Sequence, residues 1–230
     1  KQVDHLKLEV SSASDSPRGH VSVGLPTTMA MHLTVPLVQS VLRKYPGVTL
    51  HVIEGMSGHI QEWVQAGRID IALLYTSDPV PGLDLTVLLT EDLYLIASNK
   101  THRDAPSAVK LAELASLPLV LPGLDHGLRR NIERVALDAK VTLNVPVEVD
   151  SLTHMKRLVL DGALFTILPW AACRDEIRDA TLVARRIVDP VMRRPVVVAV
   201  GQDRPLSLAC RSVLQLTSSL VSKTLGAPQP

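Results

Sequence analysis

Aromatic residues are scarce in this sequence, and an excess of charge of either sign is absent. Phe, Trp and Tyr make up 3% of the 230 residues, whereas hydrophobic residues as a whole make up 46%. A hydrophobic core must therefore be built mainly from Leu, Val, Ile and Ala. The formal net charge of +1 lacks the basic excess that is typical of nucleic-acid-binding surfaces. We therefore expect no direct contact between these residues and DNA.

Long apolar runs are also missing. No stretch approaches the roughly 20 apolar residues of a transmembrane helix, and the amino-terminal stretch lacks the apolar middle section of a signal peptide. Cys173 and Cys210 have neither the spacing of metal ligands nor the density of a disulfide scaffold. These absences predict a cytoplasmic protein with buried thiols and no membrane contact. Because the chain does not start with Met, we expect a fragment or a processed product.

Signatures of catalysis, cofactor binding and metal binding are absent. The segment Gly55-Met56-Ser57-Gly58 is similar to a nucleophile elbow, but that pattern requires a glycine at position 59, where this chain has His59. The sequence has no glycine-rich nucleotide-binding loop and no H-E-x-x-H helix, and its eight His residues show no metal-ligand spacing. We therefore predict no catalytic residue, no cofactor and no metal site.

The stretch HVSVGLPTTMAMH at 20–32 is the most informative part of the chain. Its apolar positions predict a buried strand from His20 to Leu25, and the Pro-Thr-Thr corner predicts an apolar helix capped by Thr27 or Thr28. A helix that starts at the carboxyl end of a parallel strand points free N–H groups, and the positive end of its dipole, into the crevice above the sheet. Such crevices are where open α/β sheets bind small molecules.

The same strand-to-helix pattern recurs along the chain. The predicted strands are 20–25, 48–53, 69–75, 83–89, 92–97, 117–121, 146–149, 164–168, 182–187 and 196–200. The predicted helices are 29–44, 58–66, 109–114, 126–139, 151–161, 171–177 and 206–221. Right-handed crossovers order the first three strands 2-1-3 in a parallel sheet. Two α/β units in series predict two lobes with a ligand-binding cleft between them.

The strand-to-helix corners supply the candidate ligand-binding residues. They place hydroxyl groups or bare N–H groups at helix starts, where a small polar or anionic ligand finds donors. The candidates are Thr27, Thr28, Met29, Met56, Ser57, Gly58, Pro122, Gly123, Leu124 and His126. Ordinary capping by the threonines and Ser57, a plain turn at 122–124 and a solvated His126 are the alternative interpretations of the same residues.

Several other conspicuous residues are predicted to be structural. Trp63 and Trp170 are expected to pack against the core. The pair Arg129-Arg130 is expected to form a solvated helix face. Thr166 lies inside a predicted buried strand, so we expect its hydroxyl to have a hydrogen-bond partner.

Seven sequence blocks form a series that covers most of the chain. They are GHVSVGLPTT at 19–28, YPGVTLHVIEG at 45–55, GRIDIALLY at 67–75, GLDLTVLLTEDLYLIA at 82–97, VDSLT at 149–153, LVLDGALFTILP at 158–169 and RPLS at 204–207. In this order the series resembles the effector-binding region of LysR-type transcriptional regulators. The segments EDLYL and LVLPG are most similar to the nitrogen assimilation control branch of that family.

The resemblance implies a type 2 periplasmic-binding-protein-like fold. In that α/β fold, two Rossmann-like lobes are joined by two crossover segments, here near 89–92 and 190–195, with a cleft between the lobes. The implied divisions are the end of a linker helix and hinge at 1–18, lobe I at 19–90 plus 195–230, and lobe II at 91–194. The resemblance also implies an N-terminal winged helix-turn-helix DNA-binding domain that is absent from this chain.

The resemblance further implies a sensor function. Relatives hold a small effector between the lobes, at the corners that match Thr27, Thr28, Ser57 and Pro122-Gly123 here. In this implied mechanism, the effector changes how paired effector-binding domains position their DNA-binding domains, and this change regulates transcription. Implied partners are a small-molecule effector, a second copy of the chain in a homodimer (a tetramer for the full-length protein), and DNA only through the absent domain.

Two other functions fit the bilobed pattern. A solute-binding receptor of a transporter has the same fold, but it requires export, which the missing signal peptide and the free cysteines disfavour. An enzyme on this scaffold requires paired acid and base groups in the cleft, and the sequence shows none.

Overall fold

The computed structural model of the protein describes residues 16–76 and 78–225. The linker-helix end and most of the hinge expected at 1–18 lie outside the described residues. Within them, the chain forms two α/β lobes, and one long strand runs through both lobes and joins their strands into one sheet.

Lobe I begins with a β-α-β-α-β unit. Its elements are β1 (Arg18–Pro26), α1 (Thr27–Lys44), β2 (Gly47–Gly55), α2 (Ser57–Gln65) and β3 (Ile71–Leu74). The strands are parallel and lie in the order β2-β1-β3, which confirms the predicted order. β1 is buried from Val21 to Pro26 because apolar side chains cover both faces of the sheet.

Close packing against β1 depends on Gly24. A Cβ atom at this position would lie 2.6 Å from Cδ1 of Ile69 and 2.8 Å from Cγ2 of Ile60. Contacts this short are not found between side-chain carbons, so a residue without Cβ lets α2 lie against the strand. The start of α2 is thereby held at the carboxyl edge of the sheet.

The remaining elements complete lobe I and build lobe II. They are β4 (Leu83–Ser98), α3 (Asn99–His102), β5 (Ala108–Lys110), a 3-10 helix (Leu111–Ser116), β6 (Val120–Leu121), α4 (Gly127–Asp138), β7 (Val147–Glu148), α5 (Leu152–Leu160), β8 (Thr166–Pro169), a second 3-10 helix (Trp170–Cys173), α6 (Arg174–Arg178), β9 (Leu182–Val188), β10 (Arg193–Gly201) and α7 (Leu208–Leu225). The main sheet runs β2-β1-β3-β10-β4-β9-β5, and β8 also pairs with β4.

β4 is one continuous strand, so the predicted break at Thr90-Glu91 is wrong. Both residues pair with β10, with Thr90 opposite Pro195 and Glu91 opposite Arg194. Glu91 is buried inside the strand because Arg194 neutralises its charge. In the sequence, a charged residue inside an apolar run indicates a strand end, because the partner that permits its burial lies 103 positions away.

The lobes are joined through a two-stranded ribbon. The amino-terminal half of β4 pairs with β10 in lobe I, and the half from Leu93 onward pairs with β8 and β9 in lobe II. The segments predicted as crossovers, near 89–92 and 190–195, are therefore partly hydrogen-bonded to each other. The lobe II core consists of buried residues between Leu93 and Met192, separate from the lobe I core. The lobe boundaries given above stay a prediction.

Other predicted elements differ in detail. The helix expected at 109–114 is wrong, because β5 pairs with the distant β9 and a 3-10 helix follows it. The third strand starts at Ile71, because the Asp70 carboxylate accepts hydrogen bonds from the backbone N–H and hydroxyl of Ser22. β6 and β7 are shorter than predicted.

The thiols and tryptophans lie where they were expected. Cys173 and Cys210 are free and buried, and burial raises the pKa of Cys173 to about 12 and that of Cys210 to about 11. Trp63 and Trp170 are partly buried against the cores of lobe I and lobe II. None of the helices within 16–76 and 78–225 combines the length and the hydropathy of a membrane span.

Candidate functional site

A small cavity lies between the lobes. Its volume is about 60 Å³, well below the ~300–1,000 Å³ of a typical drug-sized site. It has room for a ligand of a few non-hydrogen atoms. The walls come from four strand-to-helix corners and the ribbon, with lining residues Pro26, Thr27, Thr28, Gly55, Met56, Ser57, Tyr75, Pro122, His126, Leu128, Asp150, Leu152, Met155, Leu168 and Arg194.

Helices of both lobes begin at this cavity. α1 and α2 start there from lobe I, and α4 and α5 start there from lobe II. Each helix start carries partial positive charge on its unpaired N–H groups. Their convergence makes the cavity attractive to an anion or to the oxygen atoms of a polar ligand.

The lobe I helix starts carry no side-chain cap among the described residues. The N-cap of α1 is Pro26 and that of α2 is Met56, neither of which has a side-chain acceptor. The prediction that Thr27 or Thr28 and Ser57 cap these helices is therefore wrong, since Thr27, Thr28 and Ser57 lie inside the first turn. The consequence is that first-turn N–H groups and these hydroxyls are available to a ligand.

The lobe II helix starts are capped. Nδ1 of His126 accepts a hydrogen bond from the backbone N–H of Leu128, at 3.1 Å, at the start of α4. Ser151 caps α5, as predicted, by accepting from the backbone N–H of His154 at 3.4 Å. Burial, followed by the nearby Arg194 guanidinium, lowers the pKa of His126. A neutral imidazole that accepts at Nδ1 carries its proton at Nε2, which makes Nε2 a donor.

The lobes approach each other closely beside the cavity. A Cβ atom at Gly127, the first residue of α4, would lie 3.7 Å from Cβ of Ser57 at the start of α2. The starts of α2 and α4 therefore face each other across the gap.

Arg194, Glu91 and Tyr75 form a buried group on the ribbon side of the cavity. Nε of Arg194 donates to Oε1 of Glu91, and both side chains are almost completely buried. The guanidinium carbon of Arg194 lies 3.6 Å from the centroid of the Tyr75 ring. Burial raises the pKa of Tyr75, so its hydroxyl stays protonated. Sequence reasoning missed this group, although a Glu inside an apolar run was a usable signal.

The predicted site residues divide into two sets. Thr27, Thr28, Met56, Ser57, Pro122 and His126 line the cavity. The others lie outside its lining: Met29 is buried in the lobe I core, Gly58 lines an adjoining groove, Gly123 donates its N–H to Oδ1 of Asp150 at 2.9 Å, and Leu124 is 62% exposed. Which of these residues contact a ligand stays a prediction.

Two structural predictions near the site are wrong. Of the pair expected on a solvated helix face, Arg130 is exposed as predicted, but Arg129 is buried, because it donates to the carbonyl of Pro122 and to the carboxylates of Glu133 and Glu148. It thereby holds the Pro122 corner in place. The Thr166 hydroxyl is buried as expected but has no hydrogen-bond partner among the described residues, contrary to the prediction.

One known protein family matches nearly the whole chain. The sequence model of the LysR substrate binding domain matches residues 14–220. The chain belongs to this LysR family. It is the effector-binding domain of a LysR-type transcriptional regulator, as the resemblance implied. The family consists of transcriptional regulators, which favours this function over a solute receptor or an enzyme.

Curated members of the LysR family are similar over almost the full chain. The chain is 30% identical to the nitrogen assimilation regulatory protein nac of Klebsiella aerogenes over 225 residues, which are 97% of this chain and 72% of that protein. It is 25% identical to the protein of the same name from Escherichia coli over 224 residues, 96% of this chain and 72% of that one. These relatives confirm the resemblance to regulators of nitrogen assimilation.

Solved structures of LysR proteins confirm the fold. A mutant of OxyR from Corynebacterium glutamicum matches with a TM-score of 0.81 and 19% identity, over 98% of this chain and 72% of that one. The C-terminal domain of a probable LysR family transcriptional regulator from Rhodococcus matches with a TM-score of 0.74 and 20% identity, over 87% of this chain and 99% of that one. The two-lobed periplasmic-binding-protein-like architecture is therefore shown.

Proposed function

We propose that this LysR domain senses a small polar or anionic metabolite held in the cavity between its lobes. The observation that carries the proposal is the convergence of α1, α2, α4 and α5 on one cavity, with the first turns of α1 and α2 uncapped. Those first turns, the hydroxyls of Thr27 and Ser57, and Nε2 of His126 supply donors on several sides of a bound oxygen atom.

The output in this proposal is a change in DNA binding. A ligand that contacts both lobes binds their closed arrangement more tightly than the open one, and it shifts the equilibrium by that difference in affinity. An N-terminal winged helix-turn-helix domain, encoded upstream of Lys1, carries the DNA contacts. A reading frame that encodes a leader peptide there instead of such a domain contradicts this part of the proposal.

Self-association and cellular context belong to the same proposal. We infer a cytoplasmic homodimer for this chain and a tetramer for the longer protein, which sedimentation equilibrium of each measures directly. The relatives named nitrogen assimilation regulatory protein support a role in the control of nitrogen metabolism.

A thermal-shift screen tests the cavity. Small anions, carboxylates, and sulfur and nitrogen metabolites are added to the chain, because a ligand that binds only the folded state raises the melting temperature. Thr27→Ala and Ser57→Ala are each expected to weaken the binding of a hit about fivefold, through the loss of one hydrogen bond. Because neither residue caps its helix, unfolding free energy changes by about 1 kcal/mol or less.

The matched control is Ser222→Ala on α7, which removes an exposed hydroxyl that donates to the Ser218 carbonyl and lies outside the cavity lining. This variant should bind the hit like the wild type. Unaltered affinity in both Thr27→Ala and Ser57→Ala would show that the ligand does not occupy the cavity.

A further inference from the structure

Two buried donors beside the cavity have no hydrogen-bond partner among the described residues. They are Nη2 of Arg194 and the hydroxyl of Tyr75. Both residues line the cavity, and the Arg194 residue is 2% exposed. Burial is the main influence on the pKa of Tyr75 and raises it, and the neighbouring Thr28 side chain has a smaller, opposite effect. The protonated hydroxyl has no hydrogen-bond partner among the described residues.

The position of Arg194 is fixed without using all of its donors. Nε bonds to Glu91, and the guanidinium plane lies over the Tyr75 ring. The group is therefore held on one side by a carboxylate and on one face by an aromatic ring. Such fixation keeps the remaining N–H groups in place before a ligand arrives.

A purely structural role does not account for the unpaired donors. Buried polar groups are nearly always hydrogen-bonded, because an unpaired buried donor lowers the stability of the folded state. A shorter cation at position 194 would still form the ion pair with Glu91, and Phe at position 75 would still provide the aromatic ring. Unpaired donors beside a cavity in a family of effector-binding domains therefore indicate a ligand acceptor.

We propose that Arg194 and Tyr75 determine ligand specificity by donating hydrogen bonds to one carboxylate group of a small monocarboxylate. This inference rests on the proposed function, since it places the ligand in the same cavity. A carboxylate has two acceptor oxygen atoms, so it can take one hydrogen bond from the Arg194 guanidinium and one from the Tyr75 hydroxyl, both of which line this cavity. The converging helix starts favour a negative ligand over a neutral one.

The surrounding charges limit the ligand to a single negative charge. Glu91 already neutralises Arg194, and the Asp150 carboxylate stands on the cavity wall, where Oδ1 accepts from Gly123. A sulfate or phosphate dianion would therefore face the Asp150 carboxylate on the wall and a guanidinium whose charge Glu91 already balances, which disfavours its second negative charge. The small volume of the cavity also favours a ligand with few non-hydrogen atoms.

Tyr75→Phe is the central test, because it removes only the hydroxyl. Melting temperatures and affinities are measured with acetate, glycolate, pyruvate and longer mono- and dicarboxylates, each beside its amide, and with sulfate and phosphate. We expect monocarboxylates to bind in preference to their amides and to the dianions. In Tyr75→Phe, affinity should fall about tenfold, while the melting temperature without ligand is equal or higher. Tyr45→Phe, at the far end of α1, is the matched control and should bind like the wild type.

Arg194→Lys supplies a second measurement. Lysine keeps the positive charge opposite Glu91 but lacks the forked donors, so binding should weaken at least as much as in Tyr75→Phe. The inference is overturned by wild-type affinity in Tyr75→Phe, by a preference for sulfate or phosphate, or by the absence of binding to every carboxylate. If Ser57→Ala weakens a hit that Tyr75→Phe binds normally, the cavity is right and only the role of Arg194 and Tyr75 fails.

Discussion

His126 shows how one side chain serves both the fold and the cavity. Its Nδ1 caps α4, and its ring lines the space between the lobes. Burial and the Arg194 guanidinium disfavour the charged imidazolium. Protonation of the ring would also remove the Nδ1 acceptor and so break the cap. The sequence placed His126 at a helix start but could not indicate which ring nitrogen the helix uses.

The lowered pKa of His126 predicts a loss of stability in acid. The unfolded chain takes up a proton near the ordinary value of 6.5, whereas the folded state stays neutral until a lower pH. Unfolding free energy therefore falls as pH drops through 6.5 toward the folded pKa. His126→Asn keeps a good N-cap without the titrating group, so its stability should depend less steeply on pH. Urea unfolding from about pH 8 to about pH 5 measures both, and equal slopes would contradict the assignment.

The residues that could be predicted from the sequence are those whose role is local. Thr27, Ser57 and His126 stand at strand-to-helix corners, and corner chemistry shows in a few neighbouring residues. The bond between Glu91 and Arg194 joins residues separated by 103 positions. Glu91 inside an apolar run indicates a buried charge, but neither side chain identifies its partner, which the pairing of β4 with β10 supplies.

Among the elements, α2 is notable because it lies at the cavity without a side-chain cap within the described residues. Its N-cap, Met56, has φ of −67° and ψ of 143°, the extended conformation in which capping residues sit. Met56 is 39% exposed, so a polar side chain is tolerated there. A polar capping residue at position 56 would fit this conformation, but it would occupy the N–H groups that the proposed ligand needs.

Met56→Asp should therefore stabilise the protein and impair sensing. An aspartate at the N-cap accepts hydrogen bonds from the first turn of α2 and complements its dipole, which raises unfolding free energy by about 0.5–1 kcal/mol. The same carboxylate occupies the donors and repels an anion. We expect any ligand found by thermal shift to bind at least about tenfold more weakly, as in the loss of a charge-assisted hydrogen bond.

The control for that experiment is Met56→Leu, which changes the side chain without adding a cap. It should retain wild-type binding. Normal ligand affinity in Met56→Asp, together with its higher stability, would mean that the first turn of α2 does not contact the ligand.

Helices and strands could be predicted from the sequence where their own apolar residues repeat with a helical or strand period. The β1-α1-β2-α2-β3 unit has long apolar patterns, and its strand order followed from the handedness of crossovers. β5, by contrast, spans Ala108–Lys110 and exists through its pairing with β9. Three residues are too few to show a period, so the apolar positions at 109–114 predict a helix instead.

At the scale of the whole molecule, β4 contributes to both lobes. Leu83 packs in lobe I, and Leu93, Leu95 and Ile96 pack in the core of lobe II. Contacts between lobes also occur away from the ribbon. His32 on α1 lies within hydrogen-bonding distance of the Ala171 carbonyl, and Arg174 donates to the Thr224 carbonyl on α7. Shared strands and contacts of this kind couple the stability of the lobes.

The lobes are therefore expected to unfold together. Trp63 lies in lobe I and Trp170 in lobe II, and the sequence has no other Trp. Trp170→Phe leaves a reporter of lobe I, and Trp63→Phe leaves a reporter of lobe II. Within each variant, the fluorescence midpoint in urea should coincide with the midpoint of circular dichroism, which reports both lobes. A fluorescence transition that precedes or follows the dichroism change would show that one lobe unfolds alone.

The pairing of β4 with β10 also limits how the two lobes can move relative to each other. Two separate connecting chains would let the halves slide, hinge or drift apart with little resistance. Because β4 and β10 are joined by backbone hydrogen bonds, stretching them apart or sliding one along the other would break those bonds, whereas twisting the pair would not. If the proposed ligand draws the lobes together, we therefore expect the movement to be mainly a rotation of one lobe relative to the other about the β4–β10 pair.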